Sequence, residues 1–97
     1  MSKLRKAARG KRRWVGVKID TDNIDQDTLL EQLAPDAGMP TIAWTSEDRK
    51  LLILEVRLQN YVKLIDLIGN IDHVESITSS GKIRLVKFRI SKLHRPS

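Results

Sequence analysis

Apolar and polar positions alternate from Arg13 to Ile19, with Val15, Val17 and Ile19 on one side and Trp14, Gly16 and Lys18 on the other. A two-residue period predicts a strand with one buried face. Asp20 to Asp27 is a polar turn in which Asn23 or Asp25 can cap a helix, with Leu29, Leu30 and Leu33 facing inward. Pro35 and Gly38 mark its end. Thr41 to Thr45 predicts a short strand and Ser46 to Arg49 a turn. Lys50 to Leu58 is the most apolar strand, with Leu52, Leu54, Val56 and Leu58 on one face and Leu51, Ile53, Glu55 and Arg57 on the other. Apolar residues on both faces suit a strand in mid-sheet. Gln59 or Asn60 opens a second helix on the spacing of Tyr61, Leu64, Ile65 and Ile68, and Gly69-Asn70 supplies a left-handed stop. Val74 to Thr78 and Lys82 to Ser91 read as extended, joined by a turn at Ser79-Ser80-Gly81, with a bulge allowed at the phase slip Leu85-Val86.

The order strand, helix, strand, strand, helix, strand is that of an α+β fold, the ferredoxin-like split βαβ arrangement (βαββαβ). It places two helices on one face of an antiparallel sheet and leaves the other face open, with room for an extra C-terminal hairpin. Residues 1–11 read as a basic N-terminal arm, 12–93 as a single RNA-binding domain and 94–97 as a tail. In this topology the first and last strands are antiparallel neighbours. The basic segment before Trp14 is therefore expected to meet the basic residues from Lys87 to Arg95.

Charge makes that meeting matter. Among 97 residues there are 18 Lys and Arg against 12 Asp and Glu, a net charge of +6. Met1 to Lys18 holds eight basic residues and no acid, and Ile19 to Asp48 holds eight acids and no base. Lys82 to Ser97 again holds six basic residues and no acid. Such segregation predicts one positive and one negative surface, which is an electrostatic address for a partner. Phosphate backbones are the expected partner of the positive one.

Other chemistry is thin. Without cysteine there is no disulfide, thiolate metal site or cysteine nucleophile. A hydrophobic fraction of 40% suits a folded domain. No apolar run approaches the roughly 20 residues of a membrane span, and no secretory signal is read, so a cytoplasmic location is expected. Asp20, Asp22 and Glu31 match parts of a calcium loop, but Ile24 and Asp25 stand where it needs an oxygen ligand and a glycine. His73 and His94 are not spaced as a metal pair. No metal site, cofactor or catalytic residue is read. Trp14 is open to two readings, packing at the core edge or stacking on a base; Trp44 is read as core. Leu51 and Ile53 form either a partner interface or a surface covered by neighbouring strands.

Lys11-Arg12-Arg13-Trp14-Val15-Gly16-Val17-Lys18-Ile19 resembles the first strand of the small ferredoxin-like protein subunit (protein component 2) of archaeal and eukaryotic ribonuclease P. Val62 to Ile71 is similar to that family's second helix. Val74, Ile77, Thr78, Ser80-Gly81-Lys82-Ile83 and Lys87 look like its closing strand and Ser-Gly-Thr-Ile turn, with Lys82 in the threonine's place. The resemblance covers about half the chain. The chain is shorter than most members between the first helix and the third strand, and its C-terminus reads as strand where the family tends to helix. The resemblance implies a role in maturing the 5′ end of transfer RNA, in which the RNA subunit with its magnesium ions is the catalyst. It implies pairing with a barrel-shaped protein subunit, association of two such pairs, and RNA or partner contacts at Arg12, Arg13, Ser80, Gly81 and Lys82.

The expected function is thus a non-catalytic RNA-binding subunit of a ribonucleoprotein. RNA contacts are expected from Lys11, Arg12, Arg13, Trp14, Lys18, Ser80, Gly81, Lys82, Arg84, Lys87 and Arg89, and partner contacts from Leu51 and Ile53. A ribosome-associated RNA-binding protein would look much alike. An ACT-like small-molecule regulatory domain shares the topology, but it places a glycine in the loop after the first strand, which here is Asp20 to Asp25. A bare dimerisation module would explain Leu51 and Ile53 but not the charge.

Overall fold

The computed structural model describes residues 11–93. The arm through residue 10 and the tail from His94, with Arg95, lie outside the described residues. Strand β1 (Arg12–Ile19) is followed by helix α1 (Gln26–Ala37), strands β2 (Thr41–Thr45) and β3 (Leu51–Arg57), helix α2 (Leu58–Gly69), strand β4 (Val74–Ser80) and helix α3 (Ile83–Leu93). The strands form one antiparallel sheet in the order β2-β3-β1-β4. This small α+β fold is compatible with a ferredoxin-like arrangement and carries a third helix.

The alternation in β1 works as expected. Val15 and Val17 pair in register with Leu54 and Leu52, and all four are fully buried on one face. Leu29, Leu33 and Ala37 of α1 and Leu64 and Ile68 of α2 cover that face. Asp25 is the cap of α1, its Oδ1 accepting from the Thr28 N–H at 2.7 Å. The hydrogen bonds from Thr28 hold the Asp25 carboxyl below its ordinary value. Buried Gln26 donates from Nε2 to Thr45 Oγ1 at 2.5 Å and to the Arg49 carbonyl at 3.2 Å, which ties the start of α1 to the β2–β3 turn. Pro35 lies inside α1, and the left-handed residue that ends it is Gly38, at φ 74°. A left-handed stop is absent at Gly69-Asn70, where Asn70 has φ −96°; His73 takes the positive φ, 68°, before β4.

The largest correction concerns the segment after β4. Lys82 to Ser91 is not a strand and makes no hairpin, because Ile83, Val86 and Ile90 recur at helical spacing and form the buried stripe of α3. The slip at Leu85-Val86 is the mark of that period; the sheet's irregularities lie instead between Gly16 and Val17 and between Ile42 and Trp44. Helix α3 covers the sheet face expected to be open. Leu51 and Ile53 are buried there with Val86 and Ile90, so they form a second core and not a partner interface. Trp14 and Trp44 pack half-buried against it. Gly16 makes the seat: a Cβ there would stand 2.9 Å from Ile90 Cδ1 and 3.0 Å from Thr78 Cγ2. No helix among the described residues is long and apolar enough to cross a membrane.

Candidate nucleic-acid interface

The positive groups collect where β1 begins and β4 ends. The Leu58 N–H donates to the Lys11 carbonyl at 2.7 Å, which fastens the entry of β1 to the β3–α2 junction. Register then sets Arg12 directly opposite Arg57. Two like charges facing each other across an antiparallel pair repel. Glu55 offsets part of this repulsion through an Arg12 Nη1 to Glu55 Oε2 ion pair of 2.7 Å. The Arg12 side chain is still 54% exposed, so that pair is screened by water and weak.

Arg13 alternates to the α1–α2 face. Its guanidinium carbon lies 5.7 Å from the centroid of the Tyr61 ring, and the Tyr61 hydroxyl is 2.7 Å from Ser79 Oγ. A ring held by a hydrogen bond thus positions Arg13. At the end of β4, Ser80 pairs with Trp14 and its Oγ accepts from the Lys82 N–H at 3.1 Å. Gly81 sits beside the Arg13 guanidinium.

Two clefts open at this end of the sheet. One, of about 460 Å³, is lined by Lys11, Arg12, Arg13, Trp14, Leu58 and Gly81. The other, of about 300 Å³, is lined by Arg12, Met39, Thr41, Glu55, Val56 and Arg57. Arg12 belongs to both. A volume of this order accommodates a nucleotide-sized group, and bidentate guanidinium donors suit phosphate oxygens.

The residues named from sequence divide into three groups. Lys11, Arg12, Arg13, Trp14, Ser80, Gly81 and Lys82 come together. Arg84, Lys87 and Arg89 do not lie on a strand beside them: they are carried along α3, and Arg89 Nη1 turns back to Thr78 Oγ1 at 3.2 Å and to the Ser79 carbonyl at 3.1 Å. Lys18 is at the far end of β1, paired with Leu51 and Glu75. Trp14 is half-buried between the second core and the first cleft, which is the core-edge packing of its two readings; the sheet face it lies on is covered by α3 and not open.

Arg57 and Tyr61 were not among the expected site residues. Arg57 lies between Arg49 and Gly81, where four basic and four acidic residues balance, and only the register of β1 on β3 turns it into Arg12's neighbour. Tyr61 carries the helical period of α2 and gives no separate signal.

The opposite end of the sheet is built differently. Lys50 Nζ pairs with Asp22 Oδ1 at 2.5 Å, and that contact holds the Asp22 carboxyl below its ordinary value. Asp48 Oδ1 accepts from Ser46 Oγ at 2.6 Å and from the Lys50 N–H at 3.0 Å. Among the described residues there is no cluster of three or more His, Asp or Glu that could hold a metal ion. No family model matches the chain, and no curated protein matches it.

Proposed function

We propose that this chain is an RNA-binding subunit of a ribonucleoprotein, and that its primary contact is the cationic end of the sheet. The observation that carries this is the facing pair Arg12 and Arg57, with Lys11 and Arg13 lining the cleft that Arg12 shares, Lys82 next in the chain to its Gly81, and Glu55 as the neighbouring carboxylate. A phosphate between the two guanidinium groups relieves their repulsion and releases the counterions of the RNA, which makes the affinity fall with salt. RNA is preferred to DNA because the chain shows no helix-turn-helix, zinc-finger or basic-zipper signature.

Ribonuclease P is the specific assembly we favour. The helical C-terminal segment agrees with that family's tendency there and removes one departure read from the sequence. In that assembly the RNA and its magnesium ions perform the cleavage of precursor transfer RNA. This chain contributes binding only, beside other protein subunits, and it holds no cofactor of its own.

The test is binding of labelled precursor transfer RNA and of a matched DNA duplex at low and moderate salt. The wild type is expected to prefer the RNA. The Arg12→Glu, Arg13→Glu double variant is expected to lose about a hundredfold in affinity and to flatten the salt dependence, with its melting temperature retained. Undiminished RNA affinity in the double variant at moderate salt overturns the site. Full cleavage by the reconstituted RNA and partner subunits without this chain overturns the assignment to ribonuclease P.

A further inference from the structure

Helix α3 has two faces with opposite duties. Ile83, Val86 and Ile90 turn to the sheet, and Val86 and Ile90 are buried. The outer side carries Arg84 and Lys92, Lys87 and Arg89 lie on its two flanks with Arg89 turned back to β4, all four residues are exposed, and the helix has no acid. A purely solvated helix would complete that surface with polar residues. Instead Leu85 is 41% exposed and Phe88 is 58% exposed. They are three positions apart and so neighbours on the helix surface. Lys92 Nζ lies 5.0 Å from the centroid of the Phe88 ring.

We infer that this outer face of α3 is a second RNA subsite, one that takes an unpaired nucleotide by stacking its base on Phe88. The inference rests on the RNA-binding reading above and adds the kind of RNA recognised. Charge selects the occupant. Arg84 and Lys92, four positions to either side, flank the ring on the helix surface, α3 carries no carboxylate, and a polyanion is the partner these cations complement. The exposed ring selects the unpaired form. A duplex keeps its bases stacked inside, whereas a loop or a single strand can offer a base face to an aromatic side chain. Lys92, whose ammonium lies over the ring, swings off that face to admit the base and can then meet the phosphate of the stacked nucleotide. Because α3 starts directly after Lys82, the subsite continues from the cationic end of the sheet, and one strand can run from the clefts onto the helix.

The experiment compares a fluorescein-labelled single strand of mixed sequence with the same strand in a duplex, against the wild type, Phe88→Ala and Phe88→Trp. Phe88→Ala is expected to weaken the single strand about tenfold and to leave the duplex unchanged, since a base–aromatic stack contributes on that scale. Phe88→Trp is expected to retain the affinity, and its added tryptophan emission should be quenched by the single strand. Equal losses on both RNAs, no loss on either, or an unquenched Phe88→Trp would overturn the subsite while leaving the cationic end intact. A wild-type chain that binds neither RNA at low salt would sink the RNA-binding reading itself.

Discussion

The sheet has two covered faces, and the two coverings differ in thickness and in sign. On one side α1 and α2 close a core of twelve buried residues, from Val15 to Val74. On the other, α3 alone closes a core of four: Leu51, Ile53, Val86 and Ile90. The outer layers are charged oppositely. Helix α1 carries Asp27, Glu31 and Asp36 and no base, whereas α3 carries four bases and no acid. The thick layer therefore supplies most of the stability. The thin layer covers the remaining apolar surface at modest gain and carries exposed cations.

The first way to test this contrast is to truncate each core. Leu64→Ala in the thick core removes a fully buried side chain held between α2 and the sheet. We expect a loss of about 3–5 kcal/mol in denaturant unfolding. Ile90→Ala in the thin core should cost less, about 2 kcal/mol, because the edge of a small cluster can collapse onto the gap. Equal losses would show that α3 is as integral to the fold as α2.

The smallest effect is expected at the acidic end. Asp22 and Asp25 both have folded values below the ordinary 3.8. Their contribution is therefore complete above that value and is lost as the pH falls through the lowered folded values. Asp25→Ala should lower the melting temperature slightly at pH 7 through loss of the α1 cap. Its difference from wild type should shrink in strong acid, and its RNA affinity at neutral pH should be unchanged. A drop in RNA affinity would show that the two ends of the sheet are not independent.

The two ends also show which charges serve the fold. Asp25 caps a helix, Asp48 holds a turn and Asp22 pairs with Lys50. Arg12 has an ion pair of its own, to Glu55, but it also faces Arg57, and that like-charged pairing is one that folding alone disfavours.

Much of this was legible in the chain. The alternation of Val15, Val17 and Ile19, the helical spacing of Leu64 and Ile68 and the capping position of Asp25 are local signals, and a short window of sequence contains all the physics they express. The segregation of acid from base is equally local, and it determined that the molecule would have a positive region. The segment from Lys82 to Ser91 reads as extended in the sequence because Ile83, Leu85, Val86 and Phe88 satisfy a two-residue period, with one slip, almost as well as a helical one. The sheet face beneath it decides between them: with Gly16 leaving room and Leu51 and Ile53 needing cover, the stripe of Ile83, Val86 and Ile90 is the one that can be buried. Register is likewise a property of two strands at once. Arg12 and Arg57 are 45 positions apart, and nothing near either one specifies the other until β1 pairs with β3. Periodicity and charge were determined by the sequence alone; which cations meet, and which apolar face lies beneath which helix, depended on hydrogen bonding and packing between distant segments.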